Sequence, residues 1–122
     1  MTVQFLQATS GSAVRALLAA LRGDRAELRR EIAITEEHKQ AYGHYHHAQY
    51  EIACALARVG EVDDALDWLE AAARNGYPCA AFFATDPFLD PLRGSPRFAA
   101  LLADLDRECA GYAALYCELA AR

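Results

Sequence analysis

Apolar residues along this chain recur at i, i+3, i+4 and i+7, the period that lays one stripe down a helix. Val14, Leu17, Leu18 and Leu21 form the first stripe, in a helix expected over Ala13–Arg22 with Ser12 as N-cap and Gly23 as stop. Asp24 is placed to cap a second helix, with Glu27 three residues on in the capping-box position. Leu28, Ile32 and Thr35 line one face of it, and the rest, out to Gln40, is strongly charged. A third helix is expected over about His44–Val59, with Tyr45, Gln49, Ile52, Leu56 and Val59 in line and Gly60 behind. Asp63 and Asp64 fall in the first turn of a fourth, where negative charge suits the helix dipole. Its stripe is Val62, Ala65, Leu66, Leu69 and Ala73, with Trp68 at one edge, and Asn75-Gly76 ends it.

Proline then sets the rhythm. Tyr77-Pro78 opens a short apolar piece, Cys79 to Phe83. Thr85-Asp86-Pro87 and Ser95-Pro96 each read as a cap followed by proline at the first helical position. Between them, Asp90-Pro91-Leu92-Arg93-Gly94 closes a turn or two. From Pro96 onward Phe98, Leu101, Leu102, Leu105, Cys109, Tyr112, Tyr116 and Leu119 share one face. If Gly111 does not break it, this last helix is about 40 Å long and the longest element of the chain.

Composition agrees with the periodicity. The 122 residues make one domain, 1–122, with 54% hydrophobic residues carried largely by Ala and Leu, a helix-favouring mixture. All-α is the expected class. The net charge of −5 argues against nucleic acid as a partner, because phosphate contacts need a basic footprint. The basic run Arg22–Arg30 is interleaved with Asp24 and Glu27 and reads as a solvated helix face. No window reaches the length of a membrane span and the N-terminus lacks a leader pattern, so no membrane and a cytoplasmic location are expected. Cys54, Cys79, Cys109 and Cys117 form no CxxC pair and no zinc spacing; small buried hydrophobes are the simplest expectation for them.

Gly23 and Gly60 each divide a pair of helical patterns and stand 37 residues apart. The segment Tyr50–Pro78, YEIACALARVGEVDDALDWLEAAARNGYP, resembles a tetratricopeptide repeat, whose period is about 34 with a turn between helices A and B. Ala53 and Leu56 match the small and large positions of helix A, and Ala65, Leu69 and Ala72 those of helix B. The stretch TDPFLDPLRGSPRFAALLADL resembles the closing segment of tetratricopeptide domains in bacterial signalling and regulatory proteins. The resemblance covers Tyr45–Leu105 well and Ser12–Gln40 weakly; Leu28 stands where the first repeat would carry a small residue. It implies an α-α superhelix of about two repeats plus a partial third and a long C-terminal helix. It further implies a protein-interaction or adaptor module, not an enzyme, whose concave groove is lined by helix A. Carried onto this chain, the groove positions are His47, Tyr50, Cys54, Ala57 and Arg58, suited to a peptide or partner helix. Tyr50 and Cys54 replace the Lys and Asn of the carboxylate-clamp version.

Two other readings compete. His44, His47 and Glu51 fall within about 60° on a helix, and two imidazoles with a carboxylate can bind zinc or iron. No fourth ligand, HExxH pattern or cofactor motif accompanies them, so no cofactor is expected. The stripe ending in Tyr112, Tyr116 and Leu119 is either a cap on the stack or, where it projects, the interface of a homodimer or self-assembling subunit. Asp63, Asp64, Asp86 and Asp90 read as helix-start residues beside proline and turns, not as a catalytic carboxylate pair.

Overall fold

The computed structural model describes residues 11–122, and every regular element among them is helical. In chain order these are α1 (Ser12–Leu21), α2 (Arg25–Glu37), α3 (Tyr45–Arg58), α4 (Val62–Arg74), α5 (Ala80–Thr85) and α6 (Pro96–Ala120). Two 3-10 segments, Lys39–Ala41 and Pro87–Leu92, precede α3 and α6. α1 packs on α2 and on α3; α3 packs on α4 and beneath the Pro87–Leu92 segment; α6 meets the body through α5 and α4.

Three helices end in the same way. At Gly23 (φ 74°), Gly60 (φ 83°) and Gly76 (φ 121°) the chain enters the left-handed region, where a side chain would be strained. The residue after each glycine returns its N–H to the helix: Asp24 to the Ala19 carbonyl at 2.9 Å, Glu61 to Leu56 at 3.0 Å, Tyr77 to Ala72 at 3.0 Å. Asp24 and Glu61 are also the N-cap residues of α2 and α4, so helix stop and helix start share a residue and the pairs fold back tightly. Asp24 behaves as its position predicts, accepting the Glu27 N–H at 3.0 Å. Glu61 instead turns its carboxylate to Arg25 and Arg29 of α2, linking the first helix pair to the second.

α3 is the hub. From Ala48 to Ala57 every residue but Glu51 is buried, because alanines at 48, 53, 55 and 57 let neighbours approach on several sides. The same chemistry overturns the expected face of α1. Val14, Leu18 and Leu21 lie nearly half exposed, and the buried face is Ala13, Ala16, Ala19 and Ala20. Those alanines have helical spacing too, and small side chains let α1 lie close against α2 and α3. Ser12 is likewise not the cap: Gly11 holds that position, and the Ser12 hydroxyl is buried in bonds to Thr35 (2.8 Å) and Tyr42 (2.6 Å). The second helix stops at Glu37 rather than Gln40, giving way to the 3-10 turn.

α6 runs unbroken through Gly111 for 25 residues, roughly 37 Å at 1.5 Å per residue. Phe98 and Leu105 are buried and Leu101 and Leu102 half-buried, while everything from Asp106 onward is exposed. Arg97 fixes the root of this helix to α4, with Nη2 bonded to Asp67 at 2.6 Å and to Glu70 at 2.9 Å. Those two carboxylates hold the Arg97 guanidinium even more firmly protonated than usual.

Candidate interaction surface

The outward face of α3 is where the expected groove residues lie, and the chain itself covers its middle. Asp86 accepts the N–H of Phe88 at 2.9 Å, starting the Pro87–Leu92 turn as a cap-then-proline pair should. Its other carboxylate oxygen accepts the hydroxyl proton of Tyr50 in a buried bond. Leu89 and Leu92, three residues apart in the 3-10 segment and fully buried, press it onto α3. Phe83 of α5 stacks on Tyr50 with ring centres 5.5 Å apart and planes 12° from parallel.

Tyr50, Cys54 and Ala57 are therefore interior residues, and only His47 and Arg58 of the five expected groove positions reach the surface. Burial, then the bond to Asp86, raises the Tyr50 phenol far above its ordinary range. Burial pushes the Cys54 thiol up to about 12, which leaves it an inert core residue. The sequence pattern that places helix A residues in an open groove did not anticipate that DPFLDPL folds back as its lid.

What remains exposed falls at the two ends of α3. His47 and Arg58 share one side of the helix, about 16 Å apart along its axis. At the first end the rings of His46 and His47 stack against Tyr77, the latter at 5.5 Å, and Tyr77 meets Phe82 edge-on at 6.2 Å. Phe82 is 45% exposed. At the other end Arg58 carries no salt bridge among the described residues and borders a cleft of about 370 Å³ with Pro87, Phe88, Asp90 and Pro91. The sequence pattern did not single out Phe82, Phe88 or Tyr77 as surface contacts. The adjacent pair Phe82-Phe83 carried the signal, since neighbours 100° apart on one short helix cannot both be buried by a single contact face.

The histidines cluster without forming a metal centre. The ring centres of His44, His46 and His47 lie 4.5 to 5.8 Å apart. Among the described residues, however, no three His, Cys, Asp or Glu side chains are placed to hold a metal ion, and the set His44, His47, Glu51 is not assembled. Glu51 is half-buried a turn further on, with its carboxyl raised by burial and only partly offset by His47. On the opposite side of the stack, Tyr45 and Trp68 line a shallow cleft of about 300 Å³ with Glu36 and Asp67 at its rim. Burial and the Glu36 carboxylate push the Tyr45 phenol up to about 12.

No family model, curated protein or solved structure matches this chain. Among the described residues the protein is all-helical, with no helix long and apolar enough to cross a membrane.

Proposed function

We propose that the chain is a short tetratricopeptide-like stack that works as a non-catalytic protein-interaction module, capturing an extended acidic peptide along the exposed side of α3. Consecutive helices that pack α1 on α2, α1 on α3 and α3 on α4 support the repeat reading. The observation that carries the binding reading is Arg58. It is exposed, carries no salt bridge among the described residues, and stands beside Phe88 and Pro91 in a cleft. A guanidinium next to an apolar floor takes a carboxylate with an aliphatic or aromatic neighbour. The Phe82–Tyr77–His47 row offers a second apolar contact for a peptide long enough to pass over the covered middle.

The test is selection of binders from a displayed peptide library on the purified protein, followed by anisotropy titrations of the enriched peptides. Enriched sequences should pair Asp, Glu or a free carboxyl terminus with an apolar residue. Arg58→Glu should lower their affinity about tenfold or more, and Phe88→Ala should also weaken binding, with unchanged far-UV circular dichroism. A selection with no acidic preference, or affinities indifferent to Arg58→Glu, would overturn the assignment.

A further inference from the structure

The buried stripe of α6 does not stop where the body stops. Phe98, Leu101 and Leu105 pack inward, and Cys109, Tyr112, Tyr116 and Leu119 continue the same line within an arc of about 80°. Beyond Leu105 that line is open to solvent among the described residues: Tyr112 is 66%, Tyr116 73% and Leu119 55% exposed. The free part, residues 106–120, is 15 residues, and an isolated helix of that length is marginal in water. An apolar stripe at alternating four- and three-residue steps, 105–109–112–116–119, is the seam of a two-helix coil.

We infer that the projecting half of α6 is the interface of a homodimer, in which two copies lay residues 109–119 together antiparallel. Two features of this chain choose that occupant and that direction. The body lies on the same side of α6 as the stripe, so two helices facing each other in parallel would force both bodies into one space. Running antiparallel, each helix points away from the other body, and its last turn at Ala120 reaches only as far as the partner's Glu108. The second feature is charge. The register that sets Cys109 against the partner's Leu119, and Tyr112 against the partner's Tyr116, also sets Glu108 beside the partner's Arg122 at both ends of the seam. Leu115 then meets its own copy near the two-fold axis. Among the described residues of the single chain both charges make exposed local contacts, Tyr112 to Glu108 at 3.5 Å and Arg122 to Glu118 at 3.0 Å.

A place for the incoming helix end already exists. A cleft of about 800 Å³ opens between α4 and the point where α6 leaves the body, walled by Ala73, Pro78, Leu101, Leu105, Glu108 and Tyr112 among others. In the antiparallel register the partner's Leu119 and Arg122 arrive at its mouth, an apolar group for the apolar wall and a cation for Glu108. The arrangement is isologous, each copy giving and receiving the same contacts, so it closes at two.

Sedimentation equilibrium of the full chain tests this across a dilution series. Wild type should pass from dimer to monomer in the micromolar range expected of a small interface. Tyr112→Lys/Tyr116→Lys should remain monomeric at the highest concentration, with the helicity per molecule of dilute, monomeric wild type, since both residues are exposed and contribute nothing to the monomer's core. Glu108→Arg or Arg122→Glu alone should weaken association about tenfold, and the two together should restore it. A wild type that stays monomeric up to roughly 1 mM overturns the interface. So does a dimer indifferent to the tyrosine substitutions. Single reversals that the double variant fails to rescue overturn the antiparallel register.

Discussion

Tyr50 shows how one side chain decides whether a helix face is a groove or a floor. Its ring stacks on Phe83 and its hydroxyl donates to Asp86, the residue that also starts the Pro87–Leu92 turn. Removing only that oxygen leaves the ring packing intact but leaves a buried carboxylate with one partner fewer. Hydrogen bonds to charged acceptors contribute about 1.5–3 kcal/mol, so Tyr50→Phe should lower unfolding stability by that amount in urea titrations. An unchanged midpoint would mean that the Tyr50–Asp86 bond does not hold the segment down. Because the phenol is raised by burial and by Asp86, it stays neutral across the working pH range and adds no pH dependence of its own.

At the scale of the element, the N-terminus of α3 is the odd one. His44, His46 and His47 crowd its first turn, where the helix dipole already disfavours positive charge. Partial burial, with the neighbouring charges of His47 and His44, lowers the His46 imidazole below its usual 6.5, against a bond with the Asn75 backbone that acts the other way. A folded value below the unfolded one means the unfolded chain binds the proton first. Stability from this group is thus present above pH 6.5 and is lost as pH falls below it. Tm should drop between pH 7.5 and 5.5 at fixed protein concentration, and His46→Gln should flatten that slope; equal slopes in both proteins would refute the assignment. Helix ends were the part most legible in the sequence, since Gly23, Gly60 and Gly76 and the caps at Asp24 and Asp86 act through local backbone chemistry. Helix faces were less so. Val14, Leu18 and Leu21 keep as regular a period as Ala13, Ala16 and Ala20, and only the approach of α2 and α3 selects the smaller set. The open groove over Tyr50, Cys54 and Ala57 failed for a related reason, because its lid is a short 3-10 segment about thirty residues further along the chain.

At the scale of the whole molecule, stability is distributed from one end to the other. The core runs from α1 through α3 to Phe98 and Leu105, and α6 then leaves it, anchored at its root by the Arg97 bonds and the start of its stripe. A helix with no tertiary contact opens at almost no cost, so its amides should exchange with solvent far faster than those of α3. Pairing between copies changes that locally and nowhere else. Hydrogen exchange at a concentration well below the dimer midpoint should show rapid labelling of residues 106–120. Above it, protection should rise across 109–119, while α3, already protected by Ala48–Ala57, gains only the part that linkage between folding and association adds uniformly. A peptide bound along α3 predicts the reverse map, with protection rising around Arg58 and Phe88 and the α6 tail unchanged. The two surfaces lie on different elements, and one exchange experiment with and without peptide at two protein concentrations separates them. Protection of 109–119 that does not depend on concentration would show the α6 stripe to be covered within a single chain, and the dimer seam would then be abandoned.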